Sequence, residues 1–334
     1  MNRYLIGVDI GGTNVRVAIA PINAFSIENI KKLKQTTVKD EPGSISKQVI
    51  SMIKSLIEQE NLEINIVESI SIATAGPIDM DKGEVFNNAN LGFKNIPLRE
   101  PLASEFPGIP IHLINDCNGA VLGVHHFEAT SEERSNLAYI TISTGIGAGI
   151  IANGRLVLGK EGNAAEVGHG VVSPHSGVKC NCGGEGCWEA FSSGTAVEKH
   201  AIRLVKERSN NAIILLEQAR GKMEDITSKE VYQAARKGDE IANQVVDEAN
   251  YFNSIGIGLI NNFFDISVAY LGGSMLKDAD LIIPPLQEQF RNNPLQFTIN
   301  NPPVIKKSQL GDEVGLLGAL ALGKYKIENN KVLG

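Results

Sequence analysis

Three cysteines and a histidine crowd into a glycine-rich stretch of the chain. Cys180, Cys182 and Cys187 fall within eight residues, and His169 lies eleven positions before the first of them. Structural Zn²⁺ sites use four nitrogen and sulfur ligands in a tetrahedron, which leaves no open position for catalysis. The stretch therefore predicts a structural zinc site, with His175 as the competing fourth ligand because spacing does not separate it from His169. The alternative is unligated thiols on a surface loop, which would be exposed to oxidation.

An Asn–Asp pair stands between a predicted strand and a predicted helix. Asn115 and Asp116 follow the apolar run 109–114 directly. A carboxylate at the carboxyl end of a strand points into the ligand crevice of an α/β sheet. Phosphoryl transfer to a hydroxyl needs a base to accept the hydroxyl proton, so Asp116 is a candidate general base. The competing interpretation is an N-cap for the following helix, where Asp and Asn are favoured.

Glycine-rich turns follow three predicted strands. Several backbone N–H groups can converge on one phosphate where side chains are absent and positive φ angles are allowed, as glycine permits. In the first turn, Asp9 is a carboxylate suited to Mg²⁺ and Arg16 a cation suited to a phosphate. The third turn is placed to meet the adenosine of a nucleotide. The candidate ATP- and phosphate-binding residues are Asp9, Gly11, Gly12, Thr13, Asn14 and Arg16, then Thr144, Gly145 and Gly147, then Gly272 and Gly273.

These turns are individually weak signals. They lack the Gly-Lys-Ser/Thr of a Walker A loop, and their glycines do not have dinucleotide-binding spacing. Each is equally compatible with an ordinary connection between strands. Whether these turns bind phosphate therefore depends on how the surrounding strands and helices place them.

Those elements alternate between strands and helices. Apolar runs and helical periodicity predict strands at 4–10, 15–20, 69–75, 109–114, 137–143, 150–152 and 266–271, and helices at 44–59, 118–127, about 195–207, 211–219, 228–237, 239–263 and 314–326. A strand–glycine turn–strand unit occurs at 7–20 and again at 139–153, which indicates a degenerate internal duplication. Two such units facing each other predict a cleft with a glycine turn on each wall.

Bulk composition narrows the class of protein. The chain has 334 residues, 43% hydrophobic and 21% charged, which is typical of a globular protein too long for one core. Its net charge of −7 lacks the basic footprint of a nucleic-acid-binding protein. We expect no membrane span, since no apolar run is long enough. We expect a cytoplasmic location, since the N-terminus enters a strand at once and has no signal-peptide anatomy.

Taken together, the motifs resemble the signature of the ROK family (repressors, open reading frames and kinases). The matching segments are Asp9-Ile10-Gly11-Gly12-Thr13, Asn90-Leu91-Gly92-Phe93, Asn115-Asp116, Ile142 to Ile150, Glu166-Val167-Gly168-His169, Cys180 to Glu189, and Ser193-Gly194. The resemblance runs from Gly7 to about Leu322. It implies an α/β fold of the actin/hexokinase/Hsp70 ATPase type, with two ribonuclease-H-like lobes around an active-site cleft. We expect a small lobe of residues 1–116, completed by a C-terminal helix at about 313–334, and a larger lobe of 117–312 that carries the zinc loop.

The resemblance also implies roles for single residues. By it, Asp116 is the general base, and the sugar hydroxyls contact Asn90, Asn115, Asp116, Glu166, His169 and Glu189. His169 would bind zinc through one ring nitrogen and donate to the sugar through the other, since metal-bound histidines normally donate to a second partner. From spacing alone, Glu166 and Glu189 would be solvated loop carboxylates. Cys117 departs from the small residue expected after Asn-Asp and predicts sensitivity to thiol reagents.

The implied activity is ATP-dependent phosphorylation of a hexose at C6, with glucose as the leading substrate and Mg²⁺ accompanying ATP. The segment 90–93 resembles glucokinase-like members, whereas 165–169 is also similar to N-acetylmannosamine kinases. A kinase for N-acetylmannosamine, N-acetylglucosamine or fructose is therefore an alternative. A sugar-responsive repressor is the alternative of another class, but repressors carry an added helix-turn-helix domain and the first strand here begins near Tyr4. We expect no nucleic-acid or membrane partner, and a homodimer or homotetramer.

Overall fold

The computed structural model describes residues 2–88, 91–208, 211–293, 298 and 301–330. Its strands are β1 (Tyr4–Ile10), β2 (Asn14–Pro21), β3 (Lys31–Thr36), β4 (Val67–Thr74), β5 (Ile78–Asp79), β6 (Glu84–Asn88), β7 (Phe93–Pro97), β8 (Ile111–Asn115), β9 (Leu137–Ile142), β10 (Ile146–Ala152), β11 (Arg155–Leu156), β12 (Val268–Gly272) and β13 (Val304–Lys307). Its helices are α1 (Ser44–Gln59), α2 (Arg99–Glu105), α3 (Asp116–Phe127), α4 (Glu189–Ser192), α5 (Gly194–Glu207), α6 (Ile213–Gln218), α7 (Ser228–Arg236), α8 (Glu240–Phe264), α9 (Ala279–Asn292) and α10 (Val314–Asn330).

Two sheets of the same topology form the framework. Within the described ranges, the first sheet has the order β3-β2-β1-β4-β8 and the second the order β11-β10-β9-β12-β13. Each sheet contains one antiparallel hairpin, β1–β2 in the first and β9–β10 in the second. Two further strands continue each sheet in parallel, β4 and β8 beside β1, and β12 and β13 beside β9. The repeated strand–glycine turn–strand unit of the sequence is therefore the hairpin of each sheet. A smaller sheet, β5-β6-β7, follows β4.

The first sheet is covered by amphipathic and apolar helices. Central strand β1 is apolar on both faces, with Leu5, Ile6 and Val8 buried, as expected for a strand between two layers. Helix α1 buries Val49 and Ile53 among its apolar residues and turns lysines outward, so its 3.6-residue period matches its packing. The strand 4–10 and the helix 44–59 thus lie where the sequence predicts them.

Helices α3 and α10 cross in close backbone contact between the two sheets. A Cβ atom built on Gly318 would lie 2.1 Å from the carbonyl oxygen of Gly119. One built on Gly123 would lie 3.0 Å from the backbone nitrogen of Gly318. Since Cβ atoms do not approach other heavy atoms at 2.1 Å, glycine is required at the centre of this crossing.

The same two helices tie one sheet to the other. On α10, Leu320 fills the space beside Gly7 of β1, where an added Cβ would lie 2.6 Å from its Cγ. On α3, the carbonyl oxygen of Cys117 would lie 2.3 Å from a Cβ on Gly149 of β10. Helix α10 therefore packs on the first sheet and α3 on the second. In the described part of the chain, no helix has both the length and the apolar character needed to cross a membrane.

Candidate active site

A cavity of about 840 Å³ opens where the end of the first sheet faces the second glycine turn. This volume lies within the roughly 300–1,000 Å³ typical of small-molecule sites. Gly76 and Pro77, which follow β4, line one side together with the junction of β8 and α3. The predicted site residues that line the cavity are Asn115, Asp116, Thr144, Gly145, Gly147, Glu166, His169 and Glu189. Distant parts of the sequence therefore converge on one space.

The Asn–Asp pair has two separate tasks at the start of α3. The predicted helix 118–127 begins at Asp116, because the side chain of Asn115 is the N-cap and accepts the N–H of Cys117 at 2.9 Å. Asp116 Oδ1 accepts the same N–H at 2.8 Å. Burial raises the pKa of the Asp116 carboxyl, and the hydrogen bond from Cys117 opposes this shift. The N-cap is thus Asn115, and Asp116 places a carboxyl of raised pKa on the cavity wall.

The first glycine turn carries an ion pair. Arg16 Nη1 donates to Asp9 Oδ2 at 2.7 Å, with both side chains mostly buried. Burial raises the pKa of Asp9, the Arg16 guanidinium lowers it, and the charge of Asp116 raises it again. At the start of α10, Gly315 packs against this carboxyl, since a Cβ there would lie 2.9 Å from Asp9 Oδ1. Asp9 is therefore electrostatically coupled to Asp116.

The backbone of this first turn is bonded within its own sheet at Gly11. The N–H of Gly11 donates to the carbonyl of Asn14 at 2.9 Å, and Thr37 Oγ1 donates to the carbonyl of Gly11 at 2.7 Å. None of the predicted residues Asp9 to Arg16 is among the described residues that line the cavity. The residues after β4 and β8 line the cavity on this side instead, so the glycine turn expected on this wall stays a prediction.

The second glycine turn does form a wall, and a distant carboxylate holds it. The N–H of Ile146 donates to Glu189 Oε2 at 2.8 Å. A Cβ on Gly145 would lie 2.4 Å from that same oxygen, so the turn can approach Glu189 only with glycine at this position. Both Gly145 and Glu189 line the cavity.

The third glycine turn lies beside the second. Ser274 Oγ lies 2.9 Å from Ser143 Oγ, which links the residues after β12 to those after β9. Gly273 has a φ of +93°, and a Cβ there would lie 2.4 Å from the carbonyl oxygen of Ile142. Gly272 packs equally closely on Tyr139, since a Cβ built on Gly272 would lie 2.2 Å from the tyrosine hydroxyl oxygen. These two glycines adjoin the cavity, although they are not among its described lining residues.

The predicted metal ligands form one cluster. One ligand atom from each of His169, Cys180, Cys182 and Cys187 lies within 4.8 Å of the others. Cys182 Sγ and Cys187 Sγ are 3.8 Å apart, and His169 Nδ1 is 3.7 Å from Cys180 Sγ. A tetrahedral ion with bonds of about 2.0–2.3 Å separates its ligand atoms by roughly 3.5–3.8 Å, so the four residues fit a zinc ion. His169 rather than His175 is the fourth member.

Glycines shape the hairpin that carries these cysteines. Gly183 and Gly186 have φ angles of +91° and +76°. A Cβ on Gly184 would lie 3.4 Å from the sulfurs of both Cys182 and Cys187. Positive φ angles explain the glycines at 183 and 186, and Gly184 packs against two of the sulfurs.

Glu166 and His169, both predicted to bind sugar, line the cavity beside the metal cluster. Removal from water raises the pKa of Glu166, the charge of His169 lowers it, and Asp116 and Glu189 raise it. With His169 Nδ1 directed to Cys180, its Nε2 is the ring nitrogen left for another partner. Asn90 lies outside the described residues.

Comparison with known proteins decides which family has this arrangement. Residues 5–326 match the model of the ROK family. The chain belongs to the ROK family. Its mixed α/β structure is the actin-like ATPase fold of ROK glucokinases, as the sequence predicts.

Relatives of this ROK protein include enzymes and regulators. A glucokinase of Halalkalibacterium halodurans is 29% identical over 100% of this chain and 98% of its own length. A ROK family glucokinase from Streptomyces griseus, in complex with glucose and AMPPNP, aligns with a TM-score of 0.72 and 29% identity over 96% of this chain and 99% of that one. An N-acetylglucosamine repressor of Escherichia coli O6:H1 is 26% identical over 99% of this chain and 78% of its own length.

Some residues at this ROK site were not predicted from the sequence. Asn88 is buried, and its Nδ2 donates to the carbonyls of Ala75 and Gly76 at 2.9 and 3.0 Å, which fixes the loop before Pro77. Ala165, on the cavity wall, has a φ of +70°, a conformation in which a side chain is strained. An Asn in a strand and an Ala in a loop give no sequence signal for such roles.

Proposed function

We propose that this ROK protein transfers the γ-phosphoryl group of ATP to the C6 hydroxyl of a hexose, with glucose as the substrate. Sugar phosphotransfer as such follows from the family and from glucokinase relatives that match almost the whole chain. The observation that supports the finer proposal is the lining of the cavity. Asp116, a carboxyl on the α3 side, lines the same cavity as Glu166, His169 and Glu189, whose polar groups are suited to sugar hydroxyls.

The chemistry of the proposed reaction is acceptance of a proton as the sugar hydroxyl attacks phosphorus. Asp116 in its ionised form accepts that proton, while Asn115 keeps the start of α3 in place. Glu166 and Glu189 accept hydrogen bonds from other hydroxyls and orient the sugar. Free backbone N–H groups of the second turn donate to phosphate oxygens. When bound with ATP, Mg²⁺ offsets phosphate charge, and Asp9 is the carboxylate proposed to face it.

The cysteine–histidine cluster is proposed to hold a structural Zn²⁺ ion. Its ligands would be His169, Cys180, Cys182 and Cys187, a closed set with no position for substrate. The ion would fix the hairpin between β10 and α5. His169 Nε2 and Glu189 would then present their polar atoms to the sugar.

The proposal includes a division into two lobes around the cavity. We place the small lobe at 1–116 with the C-terminal helix at about 313–334, and the larger lobe at 117–312. The packing of α10 on β1 and of α3 on β10 supports this boundary. Closure of the lobes would exclude water and limit ATP hydrolysis.

A sugar panel tests the proposed function. ADP release would be measured with Mg²⁺–ATP and glucose, mannose, fructose, glucosamine, N-acetylmannosamine and N-acetylglucosamine, with Asp116→Asn as the matched blank. We expect the highest kcat/KM with glucose. A higher value for an N-acetylated sugar or fructose would transfer the assignment to that sugar. ADP release that no sugar increases would contradict the kinase itself.

A further inference from the structure

One carboxylate connects the metal cluster to the second glycine turn, and we propose that Glu189 positions this turn for nucleotide binding. This inference rests on the proposed function. It gives Glu189 a second task in addition to contact with the sugar. In this second task Glu189 does not touch the nucleotide. It acts on the nucleotide indirectly, by positioning the backbone of residues 143–146.

The contact is direct and specific. Glu189 Oε2 accepts the N–H of Ile146 at 2.8 Å, and Gly145 leaves the space that the carboxylate occupies. A hydrogen bond to a charged acceptor is about twice as strong as a neutral one. The bond therefore fixes where the turn ends and β10 begins.

The carbonyl groups of the turn are also tied, each by a different neighbour. The carbonyl of Ser143 accepts the N–H of Gly194 at 2.7 Å, and that of Thr144 accepts Thr195 Oγ1 at 3.0 Å. The carbonyl of Gly145 accepts the N–H of Ser143 at 2.9 Å. The acceptors of the turn are thus all occupied, and its last donor is held by Glu189.

What remains is a pair of donors on residues of the cavity wall. Within the described residues, the N–H groups of Thr144 and Gly145 form no hydrogen bond, and both residues line the cavity. Two unpaired adjacent N–H groups on a cavity wall are suited to an anionic oxygen. By holding Ile146, Glu189 keeps these two donors directed toward the place where a phosphate would lie.

Glu189 itself is firmly held. Trp188, the preceding residue, is buried, and its Nε1 donates to Asn253 Oδ1 at 2.9 Å. A Cβ on Gly256 would lie 2.2 Å from the Trp188 ring, so the indole rests directly on α8. On the other side, Glu189 Oε1 lies 3.8 Å from Cys180 Sγ. Helix α8 therefore fixes the backbone just before Glu189, and the metal hairpin flanks its carboxylate.

Nucleotide binding without sugar tests the inference. The dissociation constant of Mg²⁺–AMPPNP would be measured by calorimetry for wild type, Glu189→Ala and Glu189→Gln. Glutamine keeps a carbonyl oxygen that can accept the Ile146 N–H, whereas alanine keeps none. We expect Glu189→Ala to weaken binding about tenfold and Glu189→Gln to stay within about threefold of wild type.

Glu185→Ala is the matched control, because it removes another carboxylate of the metal hairpin that is bonded to Gly177 and Lys179 and has no hydrogen bond to residues 143–146 among those described. It should bind AMPPNP as wild type does. Equal affinity of Glu189→Ala and wild type would overturn the inference. Equal weakening of Ala and Gln would also overturn it, since the hydrogen bond would then not be the cause.

A second pair of variants covers the case in which Glu189→Ala does not fold. Asn253→Ala releases the Trp188 indole, whereas Asn250→Ala removes a buried asparagine of the same helix that bonds to Leu281 instead. We expect about threefold weaker AMPPNP binding for Asn253→Ala and no change for Asn250→Ala. The opposite order, or no difference, would contradict the inference.

The two proposals fail in different ways. If wild type binds AMPPNP and phosphorylates a sugar but Glu189→Ala binds AMPPNP equally well, only the positioning role is wrong. If wild type binds no AMPPNP, the proposed function is wrong and the positioning role with it.

Discussion

The two glycine turns end equivalent hairpins in sheets of equivalent topology, yet they are held in different ways. The first turn has its own charges, with Arg16 bonded to Asp9, and it is closed by Thr37 from the end of its own sheet. The second has no ionisable side chain from 141 to 149 and depends on Glu189, forty-three residues after Ile146.

This difference shows that two sheets of the same topology can hold their glycine turns by different side chains. The hairpin geometry repeats because it follows from strand pairing and glycine. The charged groups do not repeat, since each turn obtains its carboxylate from a different part of the chain. We therefore expect the first turn to be independent of the metal cluster and the second to depend on it.

Asp116→Asn should have the largest effect, because the proposed base lies where the first sheet meets the second turn. We expect kcat to fall by about 10²–10⁴ with sugar affinity unchanged within about threefold, as for loss of a general base. Single-turnover kinetics and sugar-binding calorimetry would measure this. A variant that keeps more than a few per cent of wild-type kcat would rule out Asp116 as the base.

Cys182→Ala should give the clearest difference between the two glycine turns, because we expect it to loosen the second turn and not the first. Loss of a metal ligand should release the metal and weaken sugar binding by about 10–100-fold. Amide hydrogen exchange should rise at residues 143–149 and stay unchanged at 9–16, because only the second turn is bonded to Glu189.

Metal content and peptide-resolved exchange would be measured together. Asn181→Ala is the control, since Asn181 is exposed in the same hairpin and is not a member of the cluster. Wild-type protein purified without metal would contradict the zinc assignment. Equal exchange increases in both turns would contradict the difference between them.

Arg16→Ala should affect the first turn alone. Arg16 lowers the pKa of Asp9 against the effect of burial, so its removal leaves the pKa higher. Asp9 is then ionised only at higher pH, so the acid limb of kcat/KM should move to higher pH and the variant should lose a larger share of its activity than wild type as the pH falls. Arg155→Ala, at an exposed position of the second sheet, is the control. An unshifted pH profile would show that Asp9 has no part in turnover.

The smallest effect concerns stability. Burial raises the folded-state pKa of Asp116, so above that pKa the ionised carboxyl destabilises the fold, and the penalty disappears below the unfolded-state pKa. Asp116→Asn should therefore raise Tm by roughly 2–4 °C at pH 7.5, the shift expected for about 1 kcal/mol, and by less at pH 4. Differential scanning calorimetry at both pH values measures this. A lower Tm at pH 7.5 would mean that the carboxyl stabilises its surroundings instead.

Strongly periodic segments were predictable, and segments with conflicting signals were not. Helix α1 was predicted at its observed ends because its apolar residues recur at helical spacing. Helix α9 was missed because it contains Pro284 and Pro285, which normally end a helix. Strand β13 and the small sheet were missed because strands of two to five residues carry too few alternations to recognise.

The site was predictable where side-chain type carries the chemistry. Three cysteines, a histidine and an Asn–Asp pair identify themselves by residue type, and the structure brings them to a metal cluster and a cavity. The bond from Ile146 to Glu189 was not predictable, because a backbone N–H is present at every position and only tertiary placement selects one. The orientation of the first turn depends on Thr37, for the same reason.

The glycine contact between α3 and α10 has a consequence for the position of the proposed base. Asp116 is the first residue of α3, and Gly119 lies one helical turn beyond it. A single methyl group at Gly123 or Gly318 would act as a wedge between the two helices and tilt α3 at the end that carries the carboxyl. The absence of a side chain at these two positions thus sets the distance between the proposed proton acceptor and the opposite wall of the cavity.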